Sequence, residues 1–212
     1  MLKVFSFATA IILTAPSWAV AQDNPDQITE IPSVGTQIPP LSGEVSIEQI
    51  GTDNIAEVTG ESNSSVLIIA QRGEEQSAFV RLSGVNNQGD VIQEGSDNSA
   101  DVLITGTINT FSVSQSASEA GTLNGNQVLL EQIGFGNTAF QTQVGSDNTM
   151  TLRQNGDNNF ADLLQDGQSN LMELDQFGND NSAALKQFQT RANPIIVRQS
   201  GGMSVEITQS GN

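Results

Sequence analysis

Residues 132–181 read QIGFGNTAFQT, QVGSDNTMTLR, QNGDNNFADLL, QDGQSNLMELD and QFGNDN. The motif Gln-x-Gly-x-x-Asn thus occurs five times, and its copies are eleven residues apart without a slip. Self-similarity at a fixed period is the signature of a repeat architecture, in which each unit buries its core against its neighbours. The chain is therefore predicted to be built from stacked copies of one short unit.

Each unit is predicted to be a strand followed by a corner. Apolar and polar residues alternate before the motif, as in MTLRQ of residues 150–154, and this period of two is typical of a half-buried β-strand. The Gly and Asn that follow indicate a tight corner, since both residue types tolerate positive φ. A helix is excluded because Gly and Asn would interrupt it in every unit.

A second pattern indicates that two consecutive elevens form one coil. Small and large residues alternate seven places after each Gln, and facing sheets interdigitate when they pair such residues across a thin core. The structural unit is therefore predicted to be a coil of 22 residues with two different strands facing each other. The alternating residues are Ala56, Leu67, Ala78, Gly89, Ala100 and Phe111, and then Ala139, Met150, Ala161, Met172 and Ala183.

A further core column is predicted nine places after each Gln. It holds Val, Ile or Leu, with Gln141 as the one polar exception. Such a column is what the apolar positions of a half-buried strand produce when strands stack in register. The apolar members are Ile47, Val58, Ile69, Val80, Val91, Val102, Val113, Leu130, Leu152, Leu163, Leu174 and Leu185.

The Gln and Asn of the motif share the inward parity of the apolar columns, so they are predicted to be buried in ladders. Stacked coils place identical amides one strand spacing apart, about 4.8 Å. An amide both donates and accepts hydrogen bonds, so each one satisfies its neighbours above and below. The predicted self-assembly residues are Gln49, Gly51, Asn54, Gln71, Gly73, Gln93, Gly95, Asn98, Gln132, Gly134, Asn137, Gln143, Gly145, Asn148, Gln154, Gly156, Asn159, Gln165, Gly167, Asn170, Gln176, Gly178, Asn181, Gln209 and Gly211.

The N-terminal region precedes the repeats. Residues 1–21 are predicted to be a secretory signal peptide, because Lys3 is followed by an apolar run and by the small-residue cleavage site Ala19-Val20-Ala21. Residues 22–43 are polar and Pro-rich, which predicts a disordered leader. This leader acts either as a plain spacer or as an address for an export channel.

The first block of repeats covers residues 44–117. Alternate elevens in this block have lost the Gln and carry Gly60, Leu82 and Ile104 in its place. Because alternate elevens belong to the same face of a coil, the amide ladder is predicted to be interrupted on one face only.

A second and more regular block covers residues 127–212. Gln115 and Gln132 are 17 residues apart, six more than the period requires. Residues 118–126 are therefore predicted to be a loop inserted at a corner, where solenoids accept insertions. Together the two blocks predict about seven coils.

Residues 187–204 depart from the pattern of the second block. Gln189 replaces the Gly, Ala192 replaces the Asn, and Pro194 is predicted to enter a core column and remove one ladder donor. Order returns over residues 205–211. Two interpretations stay open, a docking or growth-control element and a repeat worn by drift. Its two arginines are Arg191 and Arg198.

Composition excludes several classes of function. The chain has 7 basic and 24 acidic residues, a formal net charge of −17, no His and no Cys. Such acidity excludes nonspecific binding of nucleic acid or anionic lipid by the bulk surface. Without His or Cys there is no Ser-His or Cys-His nucleophile, no disulfide and no thiolate metal site. We expect no enzymatic activity, no cofactor, no metal and no small-molecule substrate.

Two sets of charged residues have a competing functional interpretation. Asp162 and Asp166 face outward beside Arg153 and are predicted to be solvated charges that keep a strand soluble rather than a catalytic pair. The corner aspartates are explained by the turn preference of Asp, with calcium binding as the alternative. They are Asp53, Asp97, Asp147, Asp157 and Asp180.

The residue that follows the Gln is often apolar and is predicted to face outward. Scattered surface apolar residues are ordinary, but these are predicted to form one outward column and hence a lateral contact patch. They are Ile50, Ile133, Val144, Phe177 and Phe188.

The pattern Gln-x-Gly-x-x-Asn-x-Ala in paired elevens resembles the curlin repeat. It is clearest in residues 49–56, 93–100, 132–139, 154–161 and 176–183. Curlins are the subunits of curli, the functional amyloid fibres of bacterial biofilms, and the resemblance covers residues 44–212. The chain departs from the usual five-repeat subunit in its larger number of elevens, its insertion and its lack of Tyr.

The resemblance implies an all-β, two-sheet β-solenoid that stacks end to end into a cross-β fibre. It also implies a secreted structural subunit in extracellular, cell-surface fibres for adhesion and biofilm matrix. The implied partners are further copies of the chain, other curlin-type subunits, and an outer-membrane export channel with its accessory factors. A nucleator or minor fibre component is an alternative, as is a monomeric β-solenoid adhesin or polysaccharide-acting enzyme.

Overall fold

A computed structural model describes residues 12–13, 42–117 and 125–211 of the chain. The predicted signal peptide and leader, apart from Ile12–Leu13 and the last two residues of the leader, therefore lie outside the described residues. So do residues 118–124 of the predicted insert. Among the residues that the structure describes, no helix is long and apolar enough to cross a membrane.

The described chain folds entirely into strands joined by short corners, because each eleven alternates apolar and polar residues and then breaks at Gly and Asn. No α-helix occurs in the described ranges. The strands are β1 (Ile12–Leu13), β2 (Ser42–Thr52), β3 (Ile55–Thr59), β4 (Ser62–Glu74), β5 (Ser77–Val85), β6 (Gln88–Ser96), β7 (Ser99–Thr107), β8 (Thr110–Ser116), β9 (Gln127–Phe135), β10 (Thr138–Ser146), β11 (Thr149–Asn155), β12 (Phe160–Gln168), β13 (Leu171–Phe177), β14 (Ser182–Phe188), β15 (Ile195–Ser200) and β16 (Ser204–Ser210).

The strands form two facing parallel sheets, which are joined where the start of β4 also pairs with β5. Sheet A contains the even-numbered strands from β2 to β16, and sheet B contains the odd-numbered strands from β3 to β15, with β1 paired to β3. Each strand pairs in register with the strand one coil later, as Ala139 does with Ala161. The predicted two-sheet β-solenoid of 22-residue coils, with about seven turns, is confirmed.

The core lies between the two sheets and consists of the predicted columns. In sheet A, Ile47 stacks on Ile69 and Val91 stacks on Val113. In sheet B, Leu152 stacks between Leu130 and Leu174. The predicted apolar members of this column are all buried. Burying such side chains removes apolar surface from water, which is the main favourable term in folding.

The small and large columns exchange sheets halfway along the solenoid. Before the insert the Ala column lies in sheet B, where Ala78 pairs with Ala100. After it the Ala column lies in sheet A, where Ala139 pairs with Ala161. The exchange takes place where Phe111 pairs with Ala139. The predicted alternation along the chain is therefore present. Each sheet, however, carries the large side chains in one half of the solenoid and the small side chains in the other.

Gly89 lies in the column of large residues but has no side chain, and its neighbour in the next coil explains why. A Cβ added to Gly89 would overlap the ring of Phe111 in the next coil. The Phe111 side chain thus fills the space that the Gly leaves, and the two positions together keep the core at a constant thickness.

Pro194 does not enter a core column, so that expectation was wrong. One extra residue in the corner before β15 moves the register, and Ile195 pairs with Met172 in the core instead. Pro194 is exposed and lies just before the strand. Pro has no backbone N–H, but Pro194 lies outside the strand, where the sheet requires no donor. No ladder hydrogen bond is therefore lost there.

The corners share one backbone feature, a residue with positive φ directly before the inward amide position. Asp or Asn occupies six of the eleven non-Gly positions, for example Asn86 with φ of 55°. Ile108, with φ of 59°, is the one β-branched residue among them. A β-branched side chain in the left-handed region is strained, since its Cβ crowds the following carbonyl group.

We predict that Ile108→Asn stabilises the protein. Its side chain is 47% exposed, so the substitution removes backbone strain with little loss of burial. The free energy of unfolding should rise by about 1 kcal/mol, measured by denaturant titration of freshly purified chain. Asn86→Ile, one coil earlier in the same stack of corners, is the matched control and should destabilise by a similar amount. A loss of stability in Ile108→Asn would contradict the assignment of strain.

Candidate self-assembly site

A ladder of eight stacked glutamines runs through the whole of sheet A. The side-chain Nε2 of each Gln donates to the Oε1 of the Gln one coil later, with N–O distances of 2.6 to 3.1 Å. All the donors point the same way, towards the C-terminal end. Hydrogen-bonded chains of this kind polarise one another, so the members strengthen each other. They are Gln49, Gln71, Gln93, Gln115, Gln143, Gln165, Gln187 and Gln209.

Sheet B carries a shorter ladder that begins only after the insert. Gln132, Gln154, Gln176 and Gln199 are joined by N–O distances of 2.8 to 2.9 Å. In the coil before, Ile104 occupies the same register position as Gln132. Since Ile104 has no donor to offer, the buried Oε1 of Gln132 is without a hydrogen-bond partner among the described residues. The predicted interruption on one face is thus present.

The second N–H of the amide ties the two sheets together. Nε2 of Gln154 in sheet B also donates to the backbone oxygen of Thr138 in sheet A, at 3.1 Å. Gln93 in sheet A donates likewise to the backbone oxygen of Ser77 in sheet B, at 2.9 Å. A buried amide with all its groups paired costs little, whereas an unpaired one is destabilising. The ladders are therefore compatible with a core that is otherwise apolar.

The corner asparagines link each coil to the coils before and after it. The backbone N–H of Asn159 donates to Oδ1 of Asn137 at 3.0 Å, and Nδ2 of Asn137 donates to the backbone oxygen of Gly156 at 2.8 Å. The same pair of bonds recurs at the other edge, where Asn170 donates to Oδ1 of Asn148 at 3.1 Å. Each Asn thus satisfies backbone groups that a tight corner would otherwise leave unpaired.

The motif glycine is required for two reasons, both visible at Gly145. Its φ is 108°, in the region that L side chains rarely adopt. A Cβ at this position would also overlap the carbonyl oxygen of Gly167 in the next coil. The corner glycines therefore let successive coils approach to the strand spacing. Gly211 is different, because its nearest neighbour is the side chain of Gln189 rather than a backbone carbonyl.

The structure places the predicted amides together in these columns, and it adds members that the sequence interpretation left out. Asn126 is buried and accepts from the backbone N–H of Asn148 at 3.3 Å, although the sequence predicts it to be the last residue of the inserted loop. Gln199 continues the sheet B ladder after the extra residue. Counting 22 residues back from Asn148 finds Asn126, but no such count finds Gln199. The additional members are Gln76, Asn87, Asn109, Gln115, Asn126, Gln187 and Gln199.

Two predictions about the outer surface were wrong for one common reason, namely that consecutive elevens lie on opposite sheets. Asp162 and Asp166 lie on β12 in sheet A, whereas Arg153 lies on β11 in sheet B, so they are not side by side. The outward apolar residues likewise form two columns and not one. Ile50, Val144 and Phe188 belong to sheet A, and Ile133 and Phe177 belong to sheet B.

A row of alternating charges crosses the outer face of sheet B. Arg153 lies 3.7 Å from Glu131 and 3.4 Å from Asp175, and Arg198 lies 3.4 Å from Asp175 on the other side. The row follows one register column and ends with Arg198 on β15. Asp175 is buried, but the side chains of Arg153 and Arg198 on either side of it reach solvent. Ion pairs with a solvent-exposed partner are individually weak, so the row orders charges along the stack more than it stabilises the fold.

Asp90 is a carboxylate whose pKa is shifted. Burial raises its pKa, and a hydrogen bond from the Ser112 hydroxyl at 2.9 Å partly offsets that effect. Because the folded pKa lies above the unfolded value, this group favours the folded state at acid pH, and its contribution is lost as pH rises through the folded pKa.

Four of the corner aspartates have positive φ, which is the turn role that the sequence predicts. Asp53, Asp97 and Asp147 lie at one edge of the solenoid and Asp180 at the other. Oδ1 of Asp157 accepts from the backbone N–H of Phe135 at 3.0 Å, so this side chain caps a neighbouring corner. Among the described residues no group of three or more His, Cys, Asp or Glu side chains is placed to hold a metal ion.

Parallel coils in register, with amide ladders along their core, define a repeat protein whose single unit cannot fold alone. Residues 84–116, 124–156 and 156–188 match the model of the family described as curlin associated repeat. These three consecutive stretches are curlin-associated repeats, and they support membership of the chain in the curlin-repeat family. That family is one of structural fibre subunits and suggests a curli-type fibre subunit. Searches of curated proteins and of solved structures gave no match.

We predict that Gln154→Ala together with Asn159→Ala destabilises the stack far more than Arg153→Ala. The double change leaves Oε1 of Gln176 and the backbone N–H of Asn181 without their partners, at about 1–3 kcal/mol per buried group. The Arg153 side chain is 40% exposed, and its buried partner Asp175 keeps Arg198 at 3.4 Å, so removing Arg153 should cost less than about 1 kcal/mol. Denaturant titration and the rate of fibre growth provide the measurements. Equal effects of the two variants would contradict the inward parity of the amides.

We predict that Gln141→Leu stabilises the protein. Gln141 is 1% exposed, stacks between Val113 and Leu163, and neither of its side-chain polar atoms has a partner among the described residues. A Leu of similar volume removes the cost of burying an unpaired amide, so the free energy of unfolding should rise by about 1–3 kcal/mol. Leu163→Gln in the next coil is the control and should have the opposite sign. Destabilisation by Gln141→Leu would show that the amide has a role outside this column.

Proposed function

We propose that this protein is a secreted structural subunit that polymerises into extracellular, cell-surface fibres of the curli type, which serve in adhesion and in biofilm matrix. Its first partner is a further copy of the same chain, and other curlin-type subunits are compatible partners. The observation that carries the proposal is that the amide ladders extend to the end of the described solenoid and stop there without a cap.

The C-terminal face offers everything that the next coil needs. Within the described residues β15 pairs only with β13 and β16 only with β14, so each has an edge with unpaired backbone groups. Val197, Val205 and Ile207 are only partly buried against the core. An open edge with apolar residues is a template for another strand, and soluble solenoids normally cover such a face with a polar cap.

The N-terminal face is complementary to it. β2 pairs only with β4, and its inward residues Val45, Ile47 and Gln49 belong to the same columns as Val205, Ile207 and Gln209. Val197 and Gln199 of β15 present the same apolar and amide types as Ile207 and Gln209 of β16. On either open strand, β2 of a second copy therefore extends a backbone ladder and an amide ladder. Polymer growth therefore needs no new kind of contact, only a repetition of those inside the chain.

Export is the second part of the proposal. Residues 1–21 direct the chain across the inner membrane, and residues 22–43 address it to an outer-membrane export channel with its accessory factors. In support, the regular coils begin with β2 at Ser42, so nearly all of this leader precedes the repeats.

The prediction is that the purified chain from Gln22 onward forms fibres without any cofactor. Electron microscopy should show unbranched filaments, and fibre diffraction should show the strand spacing of about 4.8 Å along the axis. A chain that stays monomeric for days at high concentration, with a β-rich circular dichroism spectrum, would instead support the monomeric adhesin.

A matched pair of edge variants tests whether β16 is a growing edge. Ile207→Lys places a charge inward on that strand, which is how natural proteins block edge pairing, and growth should slow at least tenfold. Thr208→Lys adds the same charge on the outward side and should have little effect. Equal growth of the two variants would show that this edge takes no part in elongation.

A further inference from the structure

Among the described strands from β2 to β16, the two sheets do not contain the same number. Between β2 and β16 the chain alternates from sheet to sheet, and both its first and its last strand belong to sheet A. Sheet A therefore has eight of these strands and sheet B has seven. This difference decides how a second copy fits on the end of the first.

The end faces are stepped because the chain is a continuous spiral. Each strand lies half a coil further along the axis than the strand before it, so β16 in sheet A projects half a strand spacing beyond β15 in sheet B. At the other end β2 projects beyond β3 by the same amount. One strand spacing is about 4.8 Å, so each step is about 2.4 Å.

A copy added in the same orientation does not close the spiral. If its β2 pairs with β16, its β3 lies two strand spacings from β15 rather than one. The backbone groups of both strands would then be left without partners inside the fibre, which is costly for every group that is buried there.

A copy turned by 180° about the fibre axis continues the spiral without a missing strand. Its β2 then pairs with β15 and its β3 with β16, each at one strand spacing, and the spiral continues without a gap. The two elevens of a coil carry the same motif, so their backbones superpose after such a turn. Resting on the proposed function in fibres, we propose that successive copies of this chain are related by a half turn about the fibre axis.

The side chains at this junction match in register. Aligning Gln199 with Gln49 of the incoming copy continues the sheet B amide ladder and places Val197 against Ile47. It also places Arg198 beside Glu48 of the incoming copy. Arg198 is 74% exposed and already lies 3.4 Å from Asp175, so the row of alternating charges on sheet B gains an acidic member on its open side.

The other half of the junction is less favourable but tolerable. Aligning β16 with β3 of the incoming copy places Val205 on Ala56 and Ile207 on Val58, which continues the core. It also places Glu206 beside Glu57. Both carboxylates face outward, where solvent and salt screen their repulsion.

β1 occupies the same edge of β3 that this junction requires. Ile12–Leu13 pairs with Glu57 and Val58, and it lies inside the predicted signal peptide. Removal of residues 1–21 therefore frees the edge for β16 of the preceding copy. The arrangement accordingly applies to the processed chain, from Gln22 onward.

Engineered cysteines distinguish the two orientations, since the natural chain has no Cys. In the half-turn arrangement Ser46 of one copy lies beside Ile196 of the next. In the same-orientation arrangement it lies beside Glu206. All three face outward, and strands in register place such residues about 5 Å apart, within reach of a disulfide. Within one chain, Ser46 is separated from Ile196 and from Glu206 by several coils, so an intramolecular bond is excluded.

The test is to grow fibres from the processed chain carrying Ser46→Cys with Ile196→Cys, oxidise them mildly, and dissolve them without reductant. The expected result is a ladder of covalent multimers, whereas Ser46→Cys with Glu206→Cys stays monomeric, as do the single-Cys variants. Multimers from the Glu206 pair, from both pairs equally, or from neither pair would overturn the half-turn arrangement. Because all these outcomes presuppose fibres, a failure to form fibres is recognised separately as a failure of the proposed function.

An independent measurement is the axial repeat seen by cryo-electron microscopy. Fifteen half-coils advance each copy by about 36 Å, so a half turn gives an identical repeat after two copies, about 72 Å. Copies in one orientation would repeat after about 38 Å. A repeat of the shorter kind in side-chain-resolved maps would also overturn the proposal.

Discussion

The stacking of identical buried amides at the spacing of β-strands is the constraint on which the rest of the structure depends. Gln143 is satisfied because Gln115 donates to it and Gln165 accepts from it, at 3.1 and 3.0 Å. A residue of another type would leave one of these groups unpaired, as Ile104 does to Gln132. Each coil must therefore keep the register of its neighbours, which fixes the strand length and leaves only the corners and outward positions free to vary.

The irregular places in the chain follow from this constraint. The insert before β9 and the extra residue before β15 both fall between strands, and the amide ladders continue across them. The amide bonds across them are ordinary, at 3.1 Å between Gln115 and Gln143 and 2.8 Å between Gln176 and Gln199. A solenoid thus tolerates a change of loop length that would destroy it inside a strand.

The outward positions carry the features that distinguish this chain from any other stack of the same core. Its net charge of −17 opposes nonspecific association of the sheet faces, while the row from Glu131 to Arg198 places opposite charges on successive strands. Charge on the flanks and open edges at the ends together favour growth along one axis over lateral clumping. The core supplies the affinity between coils, and the charged surface restricts growth to the direction of the fibre axis.

The eleven-residue period by itself determined the strand, the corner, the coil of 22 residues and the inward parity of Gln143 and Leu152, because backbone geometry and side-chain alternation are local. Tertiary structure alone decided which sheet each residue joins, so Arg153 and Asp166 lie on opposite faces although they are close in sequence. It also decided that Ile195 rather than Pro194 fills the core, that Gln199 belongs to a ladder, and that the small and large columns exchange sheets at Phe111. These outcomes depend on contacts between coils. Where a corner departs from its usual length, the repeat pattern does not show how the strand after it aligns with the coil before it.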